Sequence, residues 1–131
     1  MFSLTKQAKL IKTDDFSSVF NFRKRISTEY LVLHYQPSSR PYARLGLVVG
    51  KKVAKLAVHR NYMRRVLREL FRLEQAHINS VDLIIRVQKK FGKTDFMLIQ
   101  NEFDVLMRKL KSRIAPVMIQ TSNIDSEIGL E

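Results

Sequence analysis

The chain of 131 residues has no cysteine and no tryptophan, only four glycines, and half as many acidic residues (12) as basic ones (24). Without cysteine there is no disulfide framework and no thiolate metal site, and a cytoplasmic protein is the expectation. No apolar run approaches the roughly 20 residues that a membrane-spanning helix needs. The opening MFSLTKQAKL lacks the long apolar region of a secretory signal. The few glycines form no phosphate-cradling Walker loop, and no Ser sits in a nucleophile elbow. His34, His59 and His77 are scattered without metal-ligand spacing. The acids nearest the basic residues, Asp14, Asp15, Glu29 and Glu69, form no evident carboxylate cluster of the kind a two-metal nuclease uses. The expectation is therefore no catalytic residue and no metal ligand in this chain, with Glu69 pairing instead with Arg65 or Arg72.

What the chain has is positive charge, and it is concentrated. The net charge is +12. Arg44–Arg72 holds nine Lys/Arg (Arg44, Lys51, Lys52, Lys55, Arg60, Arg64, Arg65, Arg68, Arg72) against Glu69 alone, so +8 of that total lies in under a quarter of the length. A pI near 10.3 points to a polyanion as partner. With 45% hydrophobic residues, the chain can bury the core of one domain, and wholesale disorder is excluded. No repeat or low-complexity segment is visible.

From about Ala57 to about Ala76 the spacing predicts a helix. At roughly 3.6 residues per turn, Arg60, Asn61, Arg64, Arg65, Arg68 and Arg72 share one arc. Met63, Val66, Leu67, Leu70 and Leu73 share another, the stripe of a helix packed on a core; Val58 and Phe71 spoil the separation. A merely solvated face usually mixes Lys with Glu. This one is almost all Arg, which suits bidentate phosphate recognition.

In chain order, residues 1–12 read as a mobile basic arm. Thr13 or Asp14 can cap a short helix, on which Phe16, Val19 and Phe20 share a face; spacing alone makes them core. NFRKRIS (21–27) reads as a basic turn. Tyr30–Tyr35 is a strand, with Tyr30, Val32 and His34 on one face and Leu31, Leu33 and Tyr35 on the other. Pro37 and Pro41 mark a loop. Arg44–Val53 reads as a central strand covered on both sides, closed by Lys51 and Lys52. Val81–Val87 is a third strand, followed by a basic turn at Lys89, Lys90, Gly92 and Lys93. Thr94 can cap the last helix, whose core stripe is Phe96, Ile99, Phe103, Leu106 and Leu110. Pro116 is expected to stop regular structure. This gives one domain over 1–114 and a flexible tail over 115–131, whose Asp125, Glu127 and Glu131 could shield the basic patch. The class is α+β with one small sheet, in the order α-β-β(-β)-α-β-α. If the strands flanking the Arg-rich helix are parallel neighbours, a right-handed crossover is the general expectation.

The run KKVAKLAVHRNYMRRVLRELFR resembles the signature of the bacterial ribonuclease P protein family. The matching residues are Lys51, Lys52, Ala57, Arg60, Asn61, Arg64, Arg65, Arg68, Glu69, Phe71 and Arg72, and the resemblance extends from about Leu10 to about Leu110. Two positions depart: Tyr62 stands where a third basic residue is usual, and Gly50 where Ser or Ala is frequent. The resemblance implies a ribosomal-protein-like sheet with a left-handed βαβ crossover in place of the right-handed one. It implies that Lys51, Lys52, Lys55, Arg60, Asn61, Arg64, Arg65, Arg68 and Arg72 bind a catalytic RNA. It also implies that Phe16, Phe20, His34 and Lys12 line a cleft for the single-stranded 5′ leader of precursor tRNA, with Mg²⁺ held mainly by the RNA subunit and substrate. Aromatic rings suit that task, because unpaired bases stack on them whatever their sequence. Neither a membrane nor an obligate protein partner is implied. Two other classes remain open on the residues: a structural RNA-binding protein such as a ribosomal protein, which makes Phe16 and Phe20 plain core, and a stand-alone nuclease, which requires Mg²⁺-dependent cleavage by the protein alone. A helix-turn-helix DNA binder fits poorly, because the Arg-rich helix is flanked by strands.

Overall fold

The computed structural model describes residues 13–38, 40–78 and 80–122, with side chains over 16–113. The elements are α1 (Thr13–Phe22), β1 (Lys24–Ser27), β2 (Leu31–Pro37), β3 (Arg44–Val48), α2 (Ala57–Glu74), β4 (Val81–Val87) and α3 (Phe96–Ser122). The strands form one sheet in the order β1-β2-β4-β3. β1 and β4 flank β2 antiparallel, and β3 runs parallel to β4 with Arg44 opposite Asp82 and Gly46 opposite Ile84. The α+β class holds, and α2 connects two strands that are parallel neighbours.

The period-two alternation of β2 sets the layers. Leu31, Leu33 and Tyr35 point to one face of the sheet, where Leu45, Leu83 and Ile85 join them beneath α2 and α3. Met63, Val66, Leu67, Leu70 and Phe71 are the buried residues of α2. Phe71 therefore belongs to the core, while Leu73 is 54% exposed. Leu73 lies at the outer limit of the apolar arc, whereas Phe71 follows Leu67 by one turn and continues its row down the helix. Ile99, Phe103, Leu106 and Leu110 of α3 are buried as expected, but Phe96 is 38% exposed; the aromatic that enters the core there is Phe91, from the preceding loop, at 2%.

α3 is tied down by polar contacts as well. Glu102 Oε1 accepts hydrogen bonds from Thr28 Oγ1 (2.5 Å) and the Tyr30 amide (3.0 Å). Lys111 Nζ pairs with Glu74 Oε1 of α2 at 3.0 Å.

Four boundaries differ from the sequence expectation. Residues 24–27 form a strand rather than a turn. Three of its four side chains are exposed and only Ile26 is buried, so the apolar signal is one residue long. Arg23, at φ 64°, makes the tight reversal out of α1 and donates its amide to Phe20 O at 3.1 Å. β3 ends at Val48 and lies at the sheet edge rather than its centre; Gly50 O then accepts the amides of Val53 and Ala54 in a turn. Its two apolar faces arise because α1 covers one and the main core the other. Asp95, not Thr94, supplies the cap ahead of α3: its Oδ2 accepts the Gly92 amide at 2.9 Å. Finally, α3 continues through Pro116 to Ser122. A helical proline forfeits one backbone hydrogen bond and strains the preceding turn, but here it does not end the helix.

Candidate nucleic-acid interface

Among the described residues, the second face of the sheet carries only α1. Val19 is its fully buried residue, packed on Ile84 with Phe16 and Val48 beside it. Phe16 is half-buried and Phe20 is 36% exposed. The three residues that share a face by spacing therefore divide: Val19 is core, and the two rings lie partly open at the margin of the helix. They continue into a row of aromatic edges. The Phe16 and Phe20 centroids are 6.2 Å apart at 80°. Phe20 and His34 are 4.7 Å apart at 82°. Edge-to-face pairs at such distances hold one another in place.

His34 sits on β2 opposite Arg25 of β1. Its Nε2 is buried without a hydrogen-bond partner among the described residues. Burial, then the neighbouring charges of Arg86 and Arg25, holds its pKa below the ordinary histidine value. The imidazole is thus a neutral ring at neutral pH, with the cationic charge supplied by the arginines beside it. Arg25 and Arg86 escaped the sequence reading. The signal for Arg86 was available, because Asp82, Ile84 and Arg86 alternate to the same face of β4. Lys12 lies outside the described residues.

The Arg-rich helix packs on the opposite face of the sheet, and its cations are not equivalent. Arg60 Nη1 donates to the carbonyls of Ala54 (2.9 Å) and Lys55 (2.7 Å), fastening the turn that leads into α2. Arg64 donates to Asn61 Oδ1 at 3.0 Å. Arg72 forms an ion pair with Glu69, one of the two partners foreseen, which holds the Glu69 carboxyl below its usual range. Arg65 and Arg68 make no hydrogen bond or ion pair among the described residues. Lys51, Lys52 and Lys55 are exposed on the turn after β3. Arg44, part of the same charge run in sequence, is withdrawn from the surface: it forms a two-pronged contact with Asp82, Nε to Oδ1 at 3.0 Å and Nη2 to Oδ2 at 2.8 Å.

Arg65 and Arg68 line a cavity of about 640 Å³ between α2 and the loop before α3, which contributes Lys90, Phe91 and Lys93. Tyr62 lines it too, its ring 6.4 Å from that of Phe91 at 65°. Among the described residues no group of three or more His, Asp or Glu is arranged to hold a metal ion, and no helix is long and apolar enough to cross a membrane.

The family model for ribonuclease P matches residues 4–111. The chain is 48% identical over 85 residues to the ribonuclease P protein component of Chromobacterium violaceum, a match covering 65% of this chain and 70% of that one. It is 48% identical over 90 residues to the same component of Ralstonia pickettii, covering 69% of this chain and 64% of that one. Among solved structures, it is similar to the RNase P protein of Staphylococcus aureus, with a TM-score of 0.72 and 25% identity, covering 79% of this chain and 95% of that one. It is also similar to that of Thermotoga maritima, with a TM-score of 0.68 and 29% identity, covering 76% and 96%.

Proposed function

Because the chain belongs to the ribonuclease P protein family, we propose that it binds a catalytic ribonuclease P RNA and the 5′ leader of precursor tRNA, and so assists endonucleolytic removal of the leader. The observation that carries this is the row Phe16–Phe20–His34, its two phenylalanine rings part-exposed and its imidazole buried beside Phe20, on a sheet face flanked by Arg25 and Arg86. Two part-exposed rings with cations beside them are suited to a single strand: bases stack on Phe16 and Phe20, the second braced edge-on by His34, and phosphates meet the arginines. A plain structural core would have sealed Phe20 as it sealed Val19.

In this reading the two faces of the sheet divide the work. The α1 face holds the leader; Lys12, outside the described residues, is assigned to it from the family resemblance alone. The α2 face docks on the catalytic RNA through Arg64, Arg65 and Arg68, with Asn61 and the exposed Lys51, Lys52 and Lys55. Arg60 and Arg72 act chiefly by shaping that face, since their guanidinium groups are already engaged. Among the described residues no carboxylates cluster to hold a metal ion, and in this reading Mg²⁺ is held mainly by the RNA subunit and the substrate. The protein's part is to lower phosphate repulsion and raise affinity for both. Work on precursor tRNA accords with a cytoplasmic location.

The test is reconstitution with a bacterial ribonuclease P RNA at low Mg²⁺. The protein is expected to stimulate 5′ maturation and to be inert alone. Phe20→Ala is expected to cost about 1–3 kcal/mol in binding leader-bearing tRNA, with little change for mature tRNA and little loss of stability. Cleavage by RNA-free protein, or equal losses for both tRNAs, would reject the reading.

A further inference from the structure

The arginines of α2 are sorted by what they touch. Arg60 is spent on two carbonyls, Arg64 on Asn61 and Arg72 on Glu69. The two that remain free of hydrogen bonds and ion pairs among the described residues, Arg65 and Arg68, both line the cavity beside the loop before α3. Lys90 and Lys93 enter it from the other side, equally uncommitted, and no Asp or Glu lines it. Four cations from two elements therefore surround one hollow without a counter-charge. Left empty of anions, that arrangement is repulsive.

The walls are not purely ionic. Tyr62 contributes an aromatic wall, and Asn61 offers amide donors, its Oδ1 being occupied by Arg64. The far wall is rigidly built: Phe91 is 2% exposed and anchors the loop in the core, and the Asp95 carboxylate holds the Gly92 amide. At about 640 Å³, the hollow is within the range of small-ligand sites, roughly 300–1,000 Å³. It is larger and more aromatic than a phosphate track along a helix requires.

We infer that this cavity is a binding site for one unstacked nucleotide of RNA, its base against Tyr62 and its two flanking phosphates held by Arg65 and Arg68 on one side and Lys90 and Lys93 on the other. The inference rests on the RNA-binding function proposed above and adds a site separate from the aromatic cleft, on the opposite face of the sheet. Aromatic stacking combined with cationic contacts to the backbone is how proteins hold unpaired nucleotides. The nucleotide could come from the catalytic RNA or from the leader; both present the same chemistry.

The direct test is titration of the full chain with adenosine 3′,5′-bisphosphate and, separately, with inorganic pyrophosphate, followed by NMR. The bisphosphate is expected to shift the resonances of Tyr62, Arg65, Arg68 and Lys93. Tyr62→Leu and Tyr62→Met, which remove the ring and add no charge, are both expected to weaken the bisphosphate by roughly fivefold or more while leaving pyrophosphate binding unchanged. Lys93→Gln, at an exposed position with no fold to lose, is expected to weaken both. Equal binding of the two probes to the native chain and the Tyr62 variants, or shifts confined to the Lys51–Lys55 turn, would reduce the cavity to a phosphate surface and overturn the inference.

The source is read in the reconstituted complex with Lys90→Gln combined with Lys93→Gln, two exposed cavity positions outside the docking face proposed above. Weaker binding to the catalytic RNA, with the preference for leader-bearing over mature tRNA intact, assigns the nucleotide to the catalytic RNA. Loss of that preference assigns it to the leader. No change in either, in a complex that otherwise matures tRNA, sinks the cavity proposal alone. Failure of the native chain to reconstitute instead rejects the function on which it rests.

Discussion

The ring of Phe16 lies on the bare backbone of Gly46. A Cβ at Gly46 would stand 2.9 Å from Phe16 Cε1 and 3.3 Å from Ile84 Cγ1. The glycine is needed for space rather than for backbone freedom, since no glycine among the described residues has a positive φ. Gly46→Ala is therefore expected to lift the Phe16 ring off the sheet and disturb its contact with Phe20. Overpacking of this kind costs about 1–3 kcal/mol. The stability loss should fall at the low end, because a half-buried side chain can swing outward. The larger effect is expected on the preference for leader-bearing over mature tRNA, measured by comparing dissociation constants. An unchanged preference would show that Phe16 does not need its seat on Gly46 to serve the cleft.

Arg44 and Asp82 are both nearly buried, with side chains 7% and 9% exposed. Removing one partner of such a pair leaves an uncompensated charge, at a cost of about 3–5 kcal/mol, whereas replacing both with apolar residues of similar volume is often nearly neutral. Arg44→Met is expected to lower the melting temperature sharply. Arg44→Met with Asp82→Leu is expected to recover most of it. Because Arg44 is absent from the surface, the salt dependence of RNA binding should be the same in the double variant as in the native chain.

Arg60 and Arg68 lie two turns apart on α2 and are expected to fail differently. Arg60→Ala leaves the Ala54 and Lys55 carbonyls without their donor. Hydrogen bonds to a charged group are worth roughly 1.5–3 kcal/mol, so thermal denaturation should register the loss. Arg68→Ala should leave the melting temperature near the native value. It should reduce the slope of log K against log salt by about 1, as expected for one lost phosphate contact. Equal stability of the two variants would mean that Arg60 also points to the RNA.

His34 carries a pH dependence whose sign follows from its lowered pKa. The folded state disfavours the imidazolium, so the unfolded chain binds more protons between the folded value and the ordinary one near 6.5. Stability contributed by keeping this ring neutral is present above about pH 6.5 and is lost as pH falls through that window. His34→Phe keeps an aromatic ring and removes the proton site. The native melting temperature is expected to decline faster than the variant's as the buffer is taken from pH 7.5 to 5.5. Parallel curves would assign the acid sensitivity to other groups.

Much of this protein is written locally. The stripe of Met63, Val66, Leu67 and Leu70, the alternation of Leu31, Leu33 and Tyr35, and the run Val81–Val87 each carry a period that only one element satisfies, because burial repeats at 3.6 or 2 residues. The charge run and the Arg-Asn signature were equally legible, and they identify the family without coordinates. What the sequence left open depends on neighbours distant in the chain. Phe16, Val19 and Phe20 share one spacing, and only the placement of α1 on Ile84 seals Val19 and leaves Phe20 open. The nine cations of Arg44–Arg72 look alike in one dimension. Asp82, thirty-eight residues beyond Arg44, takes that arginine out of the surface, and Glu69 and two carbonyls engage Arg72 and Arg60. The cavity of Arg65, Arg68, Lys90 and Lys93 exists only because Phe91 anchors its loop beside α2. Periodicity fixes which face of an element is buried, but not what the opposite face meets; that is decided by tertiary packing.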